Sequence, residues 1–114
     1  MTAIVRDHPE HSRYEIHVDG ELAGFSDYRL TSGRIAFTHT EVGEAFSGRG
    51  LARMLVAEEL ADVRRRGLAV LPFCPYVRRV IASDPEKYLD LVPASARARF
   101  DLPAGDGDAG ETTT

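Results

Sequence analysis

The sequence lacks several features that define whole classes of protein. Its 114 residues contain no apolar run near the roughly 20 residues that span a membrane, so we expect no membrane partner. The N-terminus has no apolar segment typical of a secretory signal peptide. The single cysteine, Cys74, cannot form an internal disulfide, which favours a reducing compartment. These absences predict a cytoplasmic protein.

The sequence also lacks an excess of positive charge. Its formal net charge is −4, whereas nucleic-acid-binding proteins present a basic face, so we expect no nucleic-acid partner. Asp106, Asp108 and Glu111 carry much of that charge and leave the rest of the chain almost neutral. Residues 103–114 are small, polar and acidic without a hydrophobic period, and we predict a disordered tail there. Residues 1–102 then form one domain with a modest core.

The first half of the chain has the pattern of an antiparallel meander. Between Arg13 and Val18 apolar and polar residues alternate, which is typical of a strand with one buried face. Asp19-Gly20 is a strong signal for a hairpin turn. The strands that these patterns predict are residues 3–6, 13–18, 21–30 and 34–42.

The second half begins with an amphipathic helix, predicted from Leu51 to Arg66 by apolar residues at three- and four-residue spacing. A short apolar strand follows at residues 68–73, and its pairing should stop at Pro72, which has no N–H to donate. Because the helix joins two strands as a βαβ crossover, those strands should be parallel. We therefore expect an α+β fold with a mixed sheet. Further helices are predicted from Pro75 to about Ala82 and from Glu86 to Leu91.

A glycine-bearing loop, residues 43–50, separates the last meander strand from the main helix. Unpaired N–H groups at a helix start attract anions, and glycines let the backbone approach a ligand closely. The loop lacks the Lys and Ser or Thr that end a Walker loop, and the third glycine of a dinucleotide fingerprint is also missing. The pattern predicts either an anion site or a tight turn that packs helix against strand.

Three pieces of the sequence together resemble a known family. They are His39-Thr40-Glu41-Val42 before the loop, Gly48-Arg49-Gly50-Leu51-Ala52 at the helix start, and Pro72-Phe73-Cys74-Pro75-Tyr76-Val77 after the helix. From Tyr14 to Val92, the chain resembles the small single-domain proteins of the GNAT superfamily of N-acetyltransferases. It departs from their usual pattern at Ala45, where Gln or Arg is common, and at Asp84, where His is common.

The resemblance implies a GNAT-like fold, in which the meander leads into a central parallel strand pair, and it implies acetyl-CoA as the cofactor. Backbone amides of the loop would hold the pyrophosphate, and the end of the preceding strand would pair with pantetheine. The implied cofactor-binding residues are Thr40, Val42, Phe46, Ser47, Gly48, Arg49, Gly50, Leu51 and Ala52. Only about six residues separate the first two strands, too few for the helix pair usual there, so we expect reduced N-terminal helices and an acceptor site open to a bulky amine.

His39 and Glu41 are the candidate acid–base residues. By strict alternation they share a strand face with Ile35 and Phe37, and this face changes from apolar to ionisable just before the loop. Either the strand emerges into solvent there, or the pair lines a cleft in which Glu41 takes a proton from the incoming amine. A β-bulge would reverse the facing.

Cys74 is the candidate nucleophile. A single buried cysteine is usually only a small hydrophobe, but the resemblance implies a catalytic role. Pro75 suits the first position of a helix, whose N–H dipoles would favour a thiolate at Cys74. Tyr76 and Tyr88 could protonate the departing CoA thiolate, or they could simply pack.

No metal site is expected, because His8, His11 and His17 are scattered among polar residues and the chain has one cysteine. The leading prediction is an acetyltransferase that moves an acetyl group from acetyl-CoA to a small-molecule or protein amine. The alternative is a non-catalytic acyl-CoA-binding or protein-interaction module on the same fold. Either would be a monomer or a weak homodimer.

Overall fold

A computed structural model describes residues 2–104 and shows one mixed sheet. The strand order is β1-β2-β3-β4-β5, with antiparallel pairing from β1 to β4 and parallel pairing between β4 and β5. The strands are β1 Ala3–His8, β2 Arg13–Val18, β3 Glu21–Thr31, β4 Arg34–Val42 and β5 Ala69–Pro72. The expected α+β class, meander and parallel pair are confirmed. A three-residue 3₁₀ turn, Pro9–His11, replaces any N-terminal helix pair between β1 and β2.

The helices follow the predicted order: α1 Leu51–Arg65, α2 Pro75–Ser83 and α3 Pro85–Tyr88. Gly67 ends α1 in the left-handed conformation, with φ +69°, and its N–H bonds Arg64 while that of Leu68 bonds Val63. This pair of bonds is a Schellman motif and satisfies carbonyls that the helix end would otherwise leave free. The third helix is shorter than predicted, because after Tyr88 the chain tightens into the 3₁₀ turn Leu89–Leu91.

Helix α1 packs across one face of the sheet, which we call the covered face, and α2 packs against α1, β4 and β5. The apolar stripe of α1 is fully buried against strand residues such as Ile16, Ile35 and Phe37. The other face, which we call the open face, exposes Ile4 and Leu22. The sheet thus has one side committed to the core and one side available to solvent.

A bulge in the β3–β4 pairing decides which side chains of β4 face the core. Tyr28 pairs with Phe37 but Asp27 pairs with His39, so Thr38 is left without an opposite residue. The alternation therefore reverses after Phe37. The prediction that His39 and Glu41 share a face with Ile35 and Phe37 is wrong for this reason.

Among the described residues, no helix has the length and apolar character needed to cross a membrane. The predicted disordered tail, residues 103–114, lies outside the described residues except for its first two positions.

Candidate functional site

The loop between β4 and α1 is open to solvent on the side of its glycines. It forms a 3₁₀ turn, Glu44–Phe46, and then passes through Gly48 and Gly50 with φ of +78° and +72°. A Cβ atom at either glycine would meet nothing within 4 Å, so the positive φ, rather than crowding, requires glycine there. Within residues 2–104, no side chain caps the first N–H groups of α1, which remain available to a ligand.

Arginine side chains flank this helix start. The guanidinium of Arg49 lies 5.6 Å from the centre of the Phe46 ring. Arg53, on the first turn of α1, donates a hydrogen bond to the Ser83 hydroxyl at the end of α2. Positive charge therefore adds to the helix dipole beside the free amides. The structure brings the predicted loop residues together, except that the side chain of Leu51 is buried in the core.

A gap opens between β4 and β5 just beyond Pro72. Their pairing runs from Arg34 opposite Ala69 to Phe37 opposite Pro72, and the Cys74 N–H then donates to the Phe37 carbonyl at 2.8 Å. The chain turns into α2 after that bond. In the described part of the protein, β4 continues alone to Val42 on this side. The predicted stop at Pro72 is confirmed, and the gap leaves strand edge that an extended ligand could pair with.

Cys74 lies at the start of this gap, as the residue that precedes the first turn of α2. It is 2% exposed. Its Sγ donates to Thr40 Oγ1 at 3.3 Å, because the bulge has turned Thr40 toward the covered face. Cys74 and the strand end predicted to bind pantetheine are therefore in direct contact.

A buried glutamate extends this contact into the core. Thr40 Oγ1 lies 3.2 Å from Ser26 Oγ, which donates to Glu59 Oε2 at 3.1 Å. Glu59 projects from the middle of α1 and is 0% exposed. Among the described residues its other oxygen, Oε1, has no hydrogen-bond partner. We call Ser26, Thr40, Glu59 and Cys74 the cysteine cluster.

Burial raises the pKa of Glu59 well above its usual value; the hydrogen bond from Ser26 lowers it, and the nearby charge of Cys74 raises it further. Glu59 is not among the residues predicted from the sequence. The signal was present, because Glu59 interrupts the apolar stripe between Leu55 and Val63 at helical spacing.

His39 and Glu41 lie on the open face instead. Their side chains are 56% and 59% exposed, and His39 Nε2 is 3.1 Å from Glu41 Oε1. The ring of Phe25 on β3 packs beside His39. The structure pairs the two predicted acid–base residues with each other and separates them from Cys74 by the sheet.

The two tyrosines occupy different surroundings. Tyr76 is half-buried on α2 with the guanidinium of Arg79 over its ring. Tyr88 is buried beside the ammonium of Lys87, whose carbonyl accepts a hydrogen bond from Arg64 in the last turn of α1. Of the two, Tyr76 is the one on α2, the helix that Cys74 precedes.

The three histidines that look scattered in sequence gather around Glu15 on the open face. His8 and His17 have ring nitrogens 3.7 and 3.5 Å from its carboxylate, and His11 is 4.0 Å away. Arg13 Nε donates to the same carboxylate at 2.8 Å. Burial raises the pKa of Glu15, but Arg13 and then His8 and His17 outweigh it and hold that pKa below its usual value. The cluster explains how a carboxylate can be buried on an otherwise open face.

Comparison with solved structures finds the same fold elsewhere. A GCN5-like protein from Staphylococcus aureus superposes with a TM-score of 0.58 at 16% identity, over 79% of this chain and 87% of its own. Ard1 from Thermoplasma volcanium has 25% identity and a TM-score of 0.47 over 57% of this chain. Ribosomal-protein-alanine N-acetyltransferase from Brucella melitensis has 20% identity and a TM-score of 0.48 over 71%. This chain spans 45% and 63% of those last two proteins.

No curated protein sequence matches the chain significantly. The sequence model of the GCN5-related N-acetyl-transferase family does match it, over residues 13–91. That span contains β2 to β5, the loop, α1, α2 and Cys74. The chain therefore belongs to the GCN5-related N-acetyltransferase family.

Proposed function

We propose that the protein transfers an acetyl group from acetyl-CoA to a small-molecule or protein amine, and that Cys74 receives the acetyl group on the way. The observation that carries this proposal is the position of Cys74. The only thiol of the chain lies at a helix start, at the end of the β4–β5 pairing, within hydrogen-bond distance of Thr40. A helix N-terminus stabilises a thiolate, which is the nucleophilic form of cysteine.

The residues present fit an acyl-CoA donor. Free amides at the start of α1, with Arg49 and Arg53 beside them, suit a pyrophosphate. The unpaired edge of β4 from Thr40 to Val42 suits an extended chain that carries amide groups, such as pantetheine. When bound, the donor supplies an acetyl thioester. The gap would place that thioester near the Cys74 sulfur.

The reaction then has two transfers. The Cys74 sulfur bonds to the acetyl carbon while the carbon–sulfur bond of the donor breaks, and the donor's sulfur leaves as a thiolate. An amine nitrogen next bonds to the acetyl carbon and the Cys74 sulfur–carbon bond breaks. The proton that the nitrogen loses neutralises the thiolate released from the donor.

Direct transfer is the alternative route, in which the amine attacks the donor and a base removes its proton. Glu41, with His39 beside it, was the base suggested by the sequence. Its exposed position on the open face requires that it reach the amine around the end of β4 or through water. The bulge at Thr38 favours the route through Cys74, which lies on the same side as the gap.

A second candidate function is acyl-CoA binding without catalysis. The nearly complete burial of Cys74 favours it, because a buried thiol is usually inert. Both functions bind the donor, but only the transferase releases CoA when an amine is added.

Mass spectrometry after incubation with acetyl-CoA tests the proposal. Without an acceptor, the peptide that contains Cys74 should gain about 42 Da, the mass of an acetyl group in place of a proton. Adding primary amines or peptides should remove that adduct and acetylate the amine. If calorimetry shows that the donor binds, but no adduct forms and no tested amine causes CoA release, the protein is the non-catalytic acyl-CoA-binding module.

The short β1–β2 connection leaves the acceptor side uncovered, which suits a bulky amine. We place the protein in the cytoplasm, on the argument from its single cysteine, acting as a monomer or weak homodimer without nucleic-acid or membrane partners. Light scattering across a concentration series tests the oligomeric state.

A further inference from the structure

Glu59 is the buried group that the fold alone does not explain. A carboxylate without water or a cation is costly to bury, and among the described residues only Ser26 bonds it. Hydrogen bonds through Ser26 and Thr40 link Glu59 to Cys74 at the start of the gap. A leucine at this position would continue the apolar stripe of the helix.

While Glu59 is ionised and Cys74 carries its proton, the cysteine cluster has one consistent order of donors. The Cys74 thiol donates to Thr40, and the Ser26 hydroxyl donates to Glu59. Either hydroxyl could donate between Thr40 and Ser26, but Ser26 has already given its only proton to Glu59. Thr40 must therefore donate to Ser26. All three bonds then point from the thiol toward the carboxylate, as in a proton relay.

We propose that Cys74 and Glu59 share one proton through Thr40 and Ser26, so that Glu59 accepts the thiol proton when Cys74 is acylated and returns it when the acetyl group leaves. The inference rests on the proposed function, because it describes how a buried Cys74 is deprotonated and restored. Glu59 touches neither the acetyl group nor the donor. It is a positioning residue that acts through two hydroxyl groups.

The proton steps balance along the chain of hydrogen bonds. The thiol proton moves to Thr40 Oγ1, the Thr40 hydroxyl proton to Ser26 Oγ, and the Ser26 proton to Glu59 Oε2. The cluster keeps a single negative charge, which moves from the middle of α1 to the sulfur at the start of α2. Helix dipoles stabilise negative charge there, and Glu59 becomes neutral in the core.

The groups around the cysteine cluster support a proton that only Cys74 and Glu59 share. Of the titratable groups facing Glu59, Cys74 is the one whose charge shifts the pKa of Glu59, and it raises that pKa. Asp62, one turn further along α1, accepts a hydrogen bond from Tyr14, and the ion pair of Asp7 with Arg66 lies beyond it. The side chain of Glu58 is exposed. On the side of Cys74, the guanidinium of Arg78 donates to the Phe73 carbonyl.

The rate of Cys74 alkylation by iodoacetamide as a function of pH tests the shared proton, on the free protein without acetyl-CoA. The chain has one cysteine, so the rate reports Cys74 only. Two coupled groups lose their protons in separate steps. In the wild type the rate should rise, stay level over about one pH unit or more, and rise again.

Glu59→Gln keeps the size of the side chain and can still accept from Ser26, but it cannot take a proton. Its profile should be a single rise of about tenfold per pH unit up to one midpoint. Glu58→Gln, on the exposed side of the same turn, is the matched control and should keep the two-step profile. Equal rates at the highest pH in all three proteins would show that access to the sulfur is unchanged.

Identical profiles in the wild type and Glu59→Gln would overturn the inference, because Glu59 would then be a permanently neutral packing group. If Glu59→Gln fails to fold, the wild-type profile alone decides, and a single step there rejects the shared proton. The outcome is independent of the proposed function. A two-step profile without any acetyl adduct would keep the shared proton and reject the acetyl transfer.

Discussion

The covered face of the sheet carries two polar clusters on one row of residues, and they differ in how completely they are satisfied. The row runs across four strands as Asp7, Tyr14, Ser26 and Thr40. Over its first half lies the tyrosine cluster, which adds Tyr28, Asp62 and Arg66 to Asp7 and Tyr14. Over its second half lies the cysteine cluster, where α1 supplies Glu59 instead of Asp62.

The tyrosine cluster pairs every charge. Tyr14 donates to Asp62 at 2.5 Å, Tyr28 donates to Asp7 at 2.6 Å, and Arg66 bonds Asp7 and Tyr14 at 3.0 Å each. Burial raises the pKa of Asp62, but the bond from Tyr14 and the charges of Arg65 and Arg66 outweigh it and lower that pKa. Burial raises the pKa of both tyrosines, and the hydrogen bonds that Tyr14 makes to Asp62 and Tyr28 makes to Asp7 raise it further, against the charge of Arg66. The lowered pKa of Asp62 and the raised pKa of Arg66 keep these two groups charged near neutral pH, as a structural network requires.

The cysteine cluster has a carboxylate, a thiol and no cation. Its carboxylic acid has a raised pKa, and among the described residues one of its oxygens has no hydrogen-bond partner. An unpaired buried polar group costs free energy, so this cluster contributes less to stability than the tyrosine cluster does. On one sheet row under one helix, the cluster with every charge paired is thus expected to hold the fold, and the proposed chemistry uses the cluster that is not fully paired.

The largest expected effect is on stability and comes from breaking the tyrosine cluster. Tyr14→Phe removes a hydroxyl that bonds both Asp62 and Arg66 and should lower the free energy of unfolding by about 2 kcal/mol, since hydrogen bonds to charged groups are the stronger ones. Urea denaturation at neutral pH measures it. The half-buried Tyr76→Phe serves as control and should lose less than about 0.5 kcal/mol. Equal losses in both would mean that the tyrosine cluster is not specially stabilising.

The next largest effect is on activity and comes from changing the cysteine cluster. Cys74→Ser keeps the size but replaces a good nucleophile by a poor one. It should abolish the acetyl adduct, keep CoA affinity within about threefold, and lower turnover about tenfold or more, roughly 1.4 kcal/mol of barrier. Turnover at the wild-type rate would show that Cys74 is a packing residue and that the amine attacks the donor directly.

Glu59→Gln should have a smaller effect on stability, and of opposite sign to Tyr14→Phe. A raised pKa in the folded state means that the folded protein holds the proton more tightly, so Glu59 favours folding below its unfolded pKa and this contribution is lost as the pH rises through its raised folded value. The substitution should therefore raise the free energy of unfolding by about 1 kcal/mol near pH 8.

The same measurement near pH 4 should show little difference, because Glu59 is then protonated in both states. Asp62, whose pKa is lowered, has the reverse dependence: its contribution is present above its unfolded pKa and lost as the pH falls. A gain in the Gln variant that is equal at both pH values would show that the pKa of Glu59 is the same in the folded and unfolded states.

Much of the fold was predictable because its signals are local. Alternation gave β2, and helical spacing gave α1 to within one residue of its end. Pro72 correctly marked the end of the parallel pairing, since a missing N–H is a property of the residue itself. The third helix was overestimated because its end depends on tertiary packing rather than on a local stop signal.

The candidate site could be proposed from the sequence only where a distinctive residue type or pattern marks it. Cys74 stands out as the only thiol, and the glycine loop has its own pattern. The facing of His39 and Glu41 was wrong because one unpaired residue, Thr38, has no sequence signature and reverses everything after it. The contact between Ser26 and Glu59 could not be foreseen because it joins positions 33 residues apart, although Glu59 does interrupt the apolar stripe of α1.

The smallest expected effect tests that reversal. If Cys74 and the gap carry the reaction, Glu41→Gln alters only the open face and should leave turnover within about twofold, a barrier change of roughly 0.4 kcal/mol. Stability should also stay within about 0.5 kcal/mol, because the ion pair of Glu41 with His39 is exposed. Steady-state kinetics with the best amine from the panel measures the first quantity and urea denaturation the second. A tenfold loss of turnover with unchanged stability and unchanged donor affinity would show that the open-face carboxylate reaches the amine, and the cysteine cluster would then be left with a role in binding alone.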